Sequence, residues 1–221
     1  MITHRQAATA AIEAAGIVAV IRIKDPAKLQ SVVDAIAEGG IRALEVTMTV
    51  PGAVGLIAGL APKMPQGFLL GAGTVLDAET ARAAILAGAE FIVSPTVNCH
   101  VIETCRRYSK LAMPGALTPT EVITAWQAGA DLVKIFPSEL TGPRYLKLLH
   151  APLPQVRLMP TGGVNLQTAI DYLEAGACAL GIGGALVDPA AVAAGNLQKI
   201  EKLAGQFAEL VRSYQARQSV R

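Results

Sequence analysis

The sequence predicts an α/β fold: a (β/α)8 TIM barrel with an extra N-terminal helix. Three observations carry that expectation. Eight short apolar runs alternate with helix-like stretches along the chain, the pattern of repeated βα units. Hydrophobic residues make up 52% and aromatics only 4%, so the apolar content is aliphatic, as parallel strands buried on both faces require. A phrase also recurs, in which a helical stretch closes on glycine and a strand-like run follows. It occurs at Gly39-Gly40, Gly88, Gly129 and Gly176. Glycine suits the position after a helix because it takes the left-handed conformation without a Cβ penalty.

The elements follow in order. Residues 1–15 suggest the extra leading helix; His4 and Arg5 precede an alanine-rich stretch as in a secretory leader, but Glu13 interrupts it and favours a surface helix. Strand candidates are Gly16–Ile23, 41–46, Phe68–Gly73, 91–94, Leu111–Pro114, 132–135, Val156–Pro160 and 179–182. Helices are expected at 26–38, 51–61, 77–87, 98–108, 118–128, 143–150, 165–175 and 188–215. Proline falls near the first turn of several of them, at Pro26, Pro51, Pro119, Pro143 and Pro189, where its missing N–H costs nothing. No low-complexity linker interrupts the pattern, so 1–221 reads as a single domain. A doubly wound open sheet is the alternative, since pattern does not show closure.

Composition narrows the function classes. Formal net charge is +2 with no basic block, so nucleic acid is not an implied partner. Mean hydropathy is high at +0.44. Yet Arg22, Glu45, Glu90 and Lys134 interrupt or flank every long apolar run, and no membrane partner is expected. Three cysteines, Cys99, Cys105 and Cys178, make no disulfide framework, which points to the cytoplasm. The histidines lie in helical or terminal segments, so neither a metal nor another cofactor is expected.

Lys134 is the most informative residue. It lies in Leu132-Val133-Lys134-Ile135-Phe136-Pro137, whereas the other seven lysines have polar or helical surroundings. An ammonium with apolar flanks is desolvated, which lowers its pKa, and a neutral amine can form a Schiff base with a carbonyl. Strand alternation points Lys134 and Phe136 into the barrel, with Glu45 and Thr47 from the second strand and Arg22 from the first. Three charges in one cavity are a poor stability device and a reasonable catalytic one. Gly162-Gly163 and Gly183-Gly184 follow the last two strands, where barrels often hold phosphate on bare backbone N–H groups.

Leu44-Glu45-Val46-Thr47, Gly71-Ala72-Gly73-Thr74-Val75, Ile92-Val93-Ser94-Pro95, Met113-Pro114-Gly115, Leu132–Pro137 and Pro160-Thr161-Gly162-Gly163-Val164 occur in this order at barrel spacing. In this combination the chain resembles the bifunctional 4-hydroxy-2-oxoglutarate aldolase / 2-dehydro-3-deoxy-phosphogluconate aldolase family of class I aldolases. The resemblance implies cleavage of 2-oxo-4-hydroxy acids to pyruvate and an aldehyde. It implies Lys134 as the Schiff-base lysine and Glu45 as the general acid/base. Thr74, Pro95, Phe136, Thr161, Gly162 and Gly163 would bind substrate, and the assembly would be a homotrimer. Two positions depart from parts of the family. Thr49 stands where one branch has an arginine, with Arg22 as the replacement cation, and Gly184 stands where many members have a phosphate-binding serine. A phosphosugar isomerase, epimerase or synthase, and a non-catalytic sugar-acid-binding barrel, are the alternatives.

Overall fold

A computed structural model describes residues 4–218. Helix α1 (His4–Ala15) leads, and residues 1–3 of the expected leading helix lie outside the described residues. Nine strands follow among the described residues: β1 (Ile17–Ile21), β2 (Ala43–Thr47), β3 (Leu69–Gly73), β4 (Phe91–Val93), β5 (Leu111–Met113), β6 (Gly115–Ala116), β7 (Val133–Ile135), β8 (Leu158–Pro160) and β9 (Leu180–Ile182). The helices between them are α2 (Leu29–Glu38), α3 (Ala53–Leu60), α4 (Ala78–Leu86), α5 (Cys99–Arg107), α6 (Pro119–Gln127), α7 (Gly142–His150) and α8 (Ala169–Glu174), and α9 (Pro189–Ala194) and α10 (Leu197–Gln218) follow the last strand.

Every strand pairing is parallel. One six-stranded sheet runs β5-β4-β3-β2-β1-β9, and a three-stranded sheet runs β6-β7-β8. Pro114, the last residue of the expected fifth strand, separates β5 from β6, a short strand just beyond that expectation; proline has no N–H to give a ladder. Isolated parallel bridges, Leu158 to Ala177 and Thr161 to Gly181, bring β8 against β9 and its approach. The result is a curled parallel sheet.

Alternation along the strands divides the core in two. Ile17, Ala19, Ile21, Leu44, Val46, Leu70, Ile92, Val133, Ile135 and Ile182 pack in a cluster shared with the helices. Val18, Ala43, Phe91, Leu111, Leu132, Met159 and Ala179 form a second cluster, joined by Ala8 and Ile12 of α1. The leading helix is therefore more than a surface helix, since one of its faces is buried against strand beginnings. Ion pairs fasten it at both ends, Arg5 to Asp131 at 2.6 Å and Arg157 to Glu13 at 2.6 Å.

The helix expected over 188–215 is two helices. Gly195 closes α9 in the left-handed region at φ 68°, and its N–H reaches back to Ala191 and Val192 carbonyls. Asn196 then accepts from the Lys199 N–H and starts α10. Helix α8 begins later than expected because Asn165 folds residues 165–168 into a turn, its Oδ1 accepting from the Gln167 and Thr168 N–H groups.

Candidate active site

Lys134 sits mid-strand in β7, its N–H donating to Pro114 O at 2.9 Å. Its side chain faces away from the helix layer, as alternation requires, and is 6% exposed. The Nζ lies 4.9 Å from the Phe136 ring centroid, a cation–π distance that also keeps water off one side of the amine. Glu45 comes from β2, in register with Val20 of β1 and Gly71 of β3. Its carboxylate is buried, and neither oxygen has a hydrogen-bond partner. The space it occupies exists because position 73 is glycine: a Cβ there would stand 2.3 Å from Glu45 Oε1.

Burial dominates the electrostatics of the pair. It pushes the Glu45 carboxyl above the usual range, with Lys134 and then Arg22 pulling it down. Burial likewise holds Lys134 below the usual lysine range; Glu45 opposes this, and Arg22 adds to it. The three charges predicted to share a space thus feel one another. An amine biased toward neutrality beside a carboxyl biased toward protonation is suited to covalent and proton-transfer chemistry.

A cavity of about 540 Å³ opens over this point. Of the predicted residues, Arg22, Thr74, Pro95, Lys134, Phe136, Thr161, Gly162, Gly163, Gly183 and Gly184 line it. Gly162 and Gly163 both have positive φ, 88° and 77°, so the turn they form demands glycine. Thr74 is left-handed as well, at φ 59°, a costly conformation for a β-branched residue that is held at the cavity wall. Glu45 lies behind the lining. Thr47 and Thr49 are outside it; Thr47 is fully buried and Thr49 exposed, and their hydroxyls bond each other at 2.7 Å.

Val20, Glu139, Val164 and Asn165 also line the cavity but escaped sequence reasoning. Val20 was legible, being two residues before Arg22 on the same face. Nothing in the spacing marks Glu139 or Asn165, which arrive through loop geometry. A second hollow, about 630 Å³, lies by α1 and the approach to β3 and contains no comparable charge pair. Among the described residues, no group of three or more His, Cys, Asp or Glu is arranged to hold a metal ion. Burial pushes the Cys105 and Cys178 thiols up to about 12, which leaves them unreactive.

A sequence model of the KDPG and KHG aldolases matches residues 9–203. The chain belongs to this aldolase family. It is 36% identical over 197 residues to the 2-dehydro-3-deoxy-phosphogluconate aldolase of Treponema pallidum (strain Nichols), covering 88% of this chain and 91% of that one. It is 33% identical over 199 residues to the 2-dehydro-3-deoxy-6-phosphogalactonate aldolase of Escherichia coli (strain K12), covering 90% of this chain and 94% of that one. Among solved structures, the KDPG aldolase from Legionella pneumophila superposes with a TM-score of 0.83 at 29% identity, over 89% of this chain and 96% of that one. That structure holds pyruvate captured at low pH as a covalent carbinolamine intermediate. The family's members are carbon–carbon lyases, and this chain is one of them.

Proposed function

We propose that the chain is a class I aldolase that cleaves 2-oxo-4-hydroxy acids, such as 2-dehydro-3-deoxy-6-phosphogluconate and 4-hydroxy-2-oxoglutarate, to pyruvate and an aldehyde. Lys134 is the nucleophile and Glu45 the acid/base. One observation supports the assignment to these residues: the buried Lys134 amine lines the cavity, and behind that lining lies the Glu45 carboxylate, buried and without hydrogen bonds.

The neutral amine attacks C2 of the oxo acid, and the carbinolamine loses water to give a protonated imine. Glu45, directly or through a water, takes the C4 hydroxyl proton. The C3–C4 bond breaks, the aldehyde leaves, and the electron pair passes into the imine to form an enamine. Glu45 returns a proton to C3, and hydrolysis frees pyruvate and regenerates Lys134. A carboxyl that both accepts and returns a proton needs a pKa raised toward neutrality, and burial raises it. The turn at Thr161, Gly162 and Gly163 would hold the substrate carboxylate. Gly183 and Gly184 would meet a distal phosphate through backbone N–H groups, and Arg22 would supply the cation that Thr49 does not.

Borohydride with pyruvate, followed by peptide mass mapping, tests the assignment. A single label on Lys134 is expected. A label on another lysine overturns the residue, and no label overturns the Schiff base.

The same reading includes the finer architecture. We propose that the curled sheet closes as an eight-stranded barrel, supported by the β8–β9 bridges, with α1 as its extra leading helix. The unit would be a single domain that works in the cytoplasm as a homotrimer. A sedimentation mass of three chains is the expected outcome, and a monomer would refute the trimer. Among the described residues no helix is long and apolar enough to cross a membrane.

A further inference from the structure

We propose that Ser138 is a positioning residue, a buried clasp that fixes the lysine-bearing strand β7 against the Thr161–Gly163 turn. The proposal rests on the aldolase reading and names how its two halves are kept in register.

Lys134 and the turn belong to neighbouring strands, β7 and β8, whose ladder ends with Ile135 opposite Pro160. Beyond that point backbone bonds between Thr161 and both Ile135 and Ser138 continue the pairing, and the Ser138 side chain adds a second set of bonds at the same place. The residue is 1% exposed. Its Oγ donates to Ile135 O at 2.7 Å and accepts from the Thr161 N–H at 3.2 Å. The Thr161 N–H also reaches Ile135 O at 2.9 Å, so the hydroxyl closes a small ring across the strand ends. The Ser138 N–H donates to Thr161 O at 2.9 Å. Its carbonyl accepts from the Tyr172 hydroxyl of α8 at 2.9 Å, which ties the clasp to the helix layer.

The clasp lies four residues beyond Lys134, and Thr161 is itself buried. A shift at Ser138 would move the turn, through Thr161, relative to the amine without touching the amine itself. Orientation of the carboxylate against the nucleophile is what such a shift would degrade, since a displacement of about 1 Å is felt strongly in rate or affinity. Other polar groups near the cavity do not match this arrangement. The Ser94 hydroxyl is buried without a partner and links nothing, and Glu139 is exposed at the rim.

The test compares wild type with Ser138→Ala and, as a variant that keeps its ring and volume, Tyr172→Phe. Each is titrated for active sites by pyruvate and borohydride, and then kcat and KM for a 2-oxo-4-hydroxy acid are measured per labelled site. Loss of a buried hydrogen bond that acts through orientation should raise KM about tenfold in Ser138→Ala and by less in Tyr172→Phe, with kcat within about twofold. Ser138→Thr, which keeps the hydroxyl, should restore KM toward wild type. If either deletion lowers the melting temperature while KM per labelled site stays at the wild-type value, the clasp is structural only and the proposal fails. If wild type itself takes no label, it is the aldolase reading that fails.

Discussion

The two ends of the same strands are built to opposite rules. At their beginnings Val18, Ala43, Phe91, Leu111, Leu132 and Ala179 meet Ala8 and Ile12 in an apolar plug with every side chain buried. One or two turns of pleat further on, the inward positions become Arg22, Glu45 and Lys134, and a carboxylate stands without a hydrogen bond. The first end stabilises, because burying hydrocarbon is favourable at about 25 cal/mol per Å². The second end costs stability, because desolvating two charges is repaid only partly by their attraction. The difference teaches that reactivity here is held in place by the packing below it.

Breaking the charged end should destroy turnover and spare the fold. Lys134→Ala should lose about 10⁴-fold or more in kcat, the scale of losing a nucleophile, with cooperative unfolding retained. Glu45→Gln should keep borohydride trapping at Lys134 while slowing turnover by roughly 10²–10⁴-fold, the range of general acid/base effects. Steady-state pyruvate release checks both, and unchanged turnover in either variant removes that residue from the chemistry.

Breaking the apolar end should do the reverse. Phe91→Ala, at a fully buried site, should cost about 3–5 kcal/mol in denaturant unfolding. Per labelled active site its kcat/KM should stay within about twofold of wild type. A large kinetic loss in the folded fraction would show that the two ends are not separable.

The smallest effect sharpens the comparison most. The folded-state pKa of Glu45 is raised, so its contribution to stability is present below the ordinary carboxylate range and is lost as pH rises through the folded value. That of Lys134 is lowered, so its contribution is present above the ordinary lysine range and is lost as pH falls through the folded value. At neutral pH both groups therefore weigh against folding. Glu45→Gln combined with Lys134→Met should stabilise by about 1–4 kcal/mol at pH 7, a rise of several degrees in Tm. A lower Tm would mean that the ion pair outweighs its desolvation. In wild type the rate of borohydride trapping should rise with pH through a midpoint below about 10.4, the unperturbed lysine value.

Much of this was legible beforehand. The inward set of Arg22, Glu45, Lys134 and Phe136 followed from a period of two, which short apolar strands display plainly. Glycines closing helices marked where the strands begin. The break at Gly195 was not legible, because apolar periodicity continues on both sides of it and only the backbone conformation separates α9 from α10. Thr47 shared the inward parity of Glu45, yet it bonds Thr49 away from the cavity, since parity sets a direction and not a neighbour. Glu139 and Asn165 reached the lining through turns whose course no periodic pattern encodes.

The sequence by itself determined the alternation of strands and helices, the parity that turns one lysine and one glutamate inward, and the glycine turns, since each depends on a few consecutive residues. Only the tertiary structure decided that the Lys134 amine lines a cavity with the buried Glu45 carboxylate behind it. It also decided that α1 is buried against the strand beginnings and that Ser138 fastens two strand ends together. These contacts join residues far apart in the chain, and their energies come from the exclusion of water, which no single segment can achieve alone.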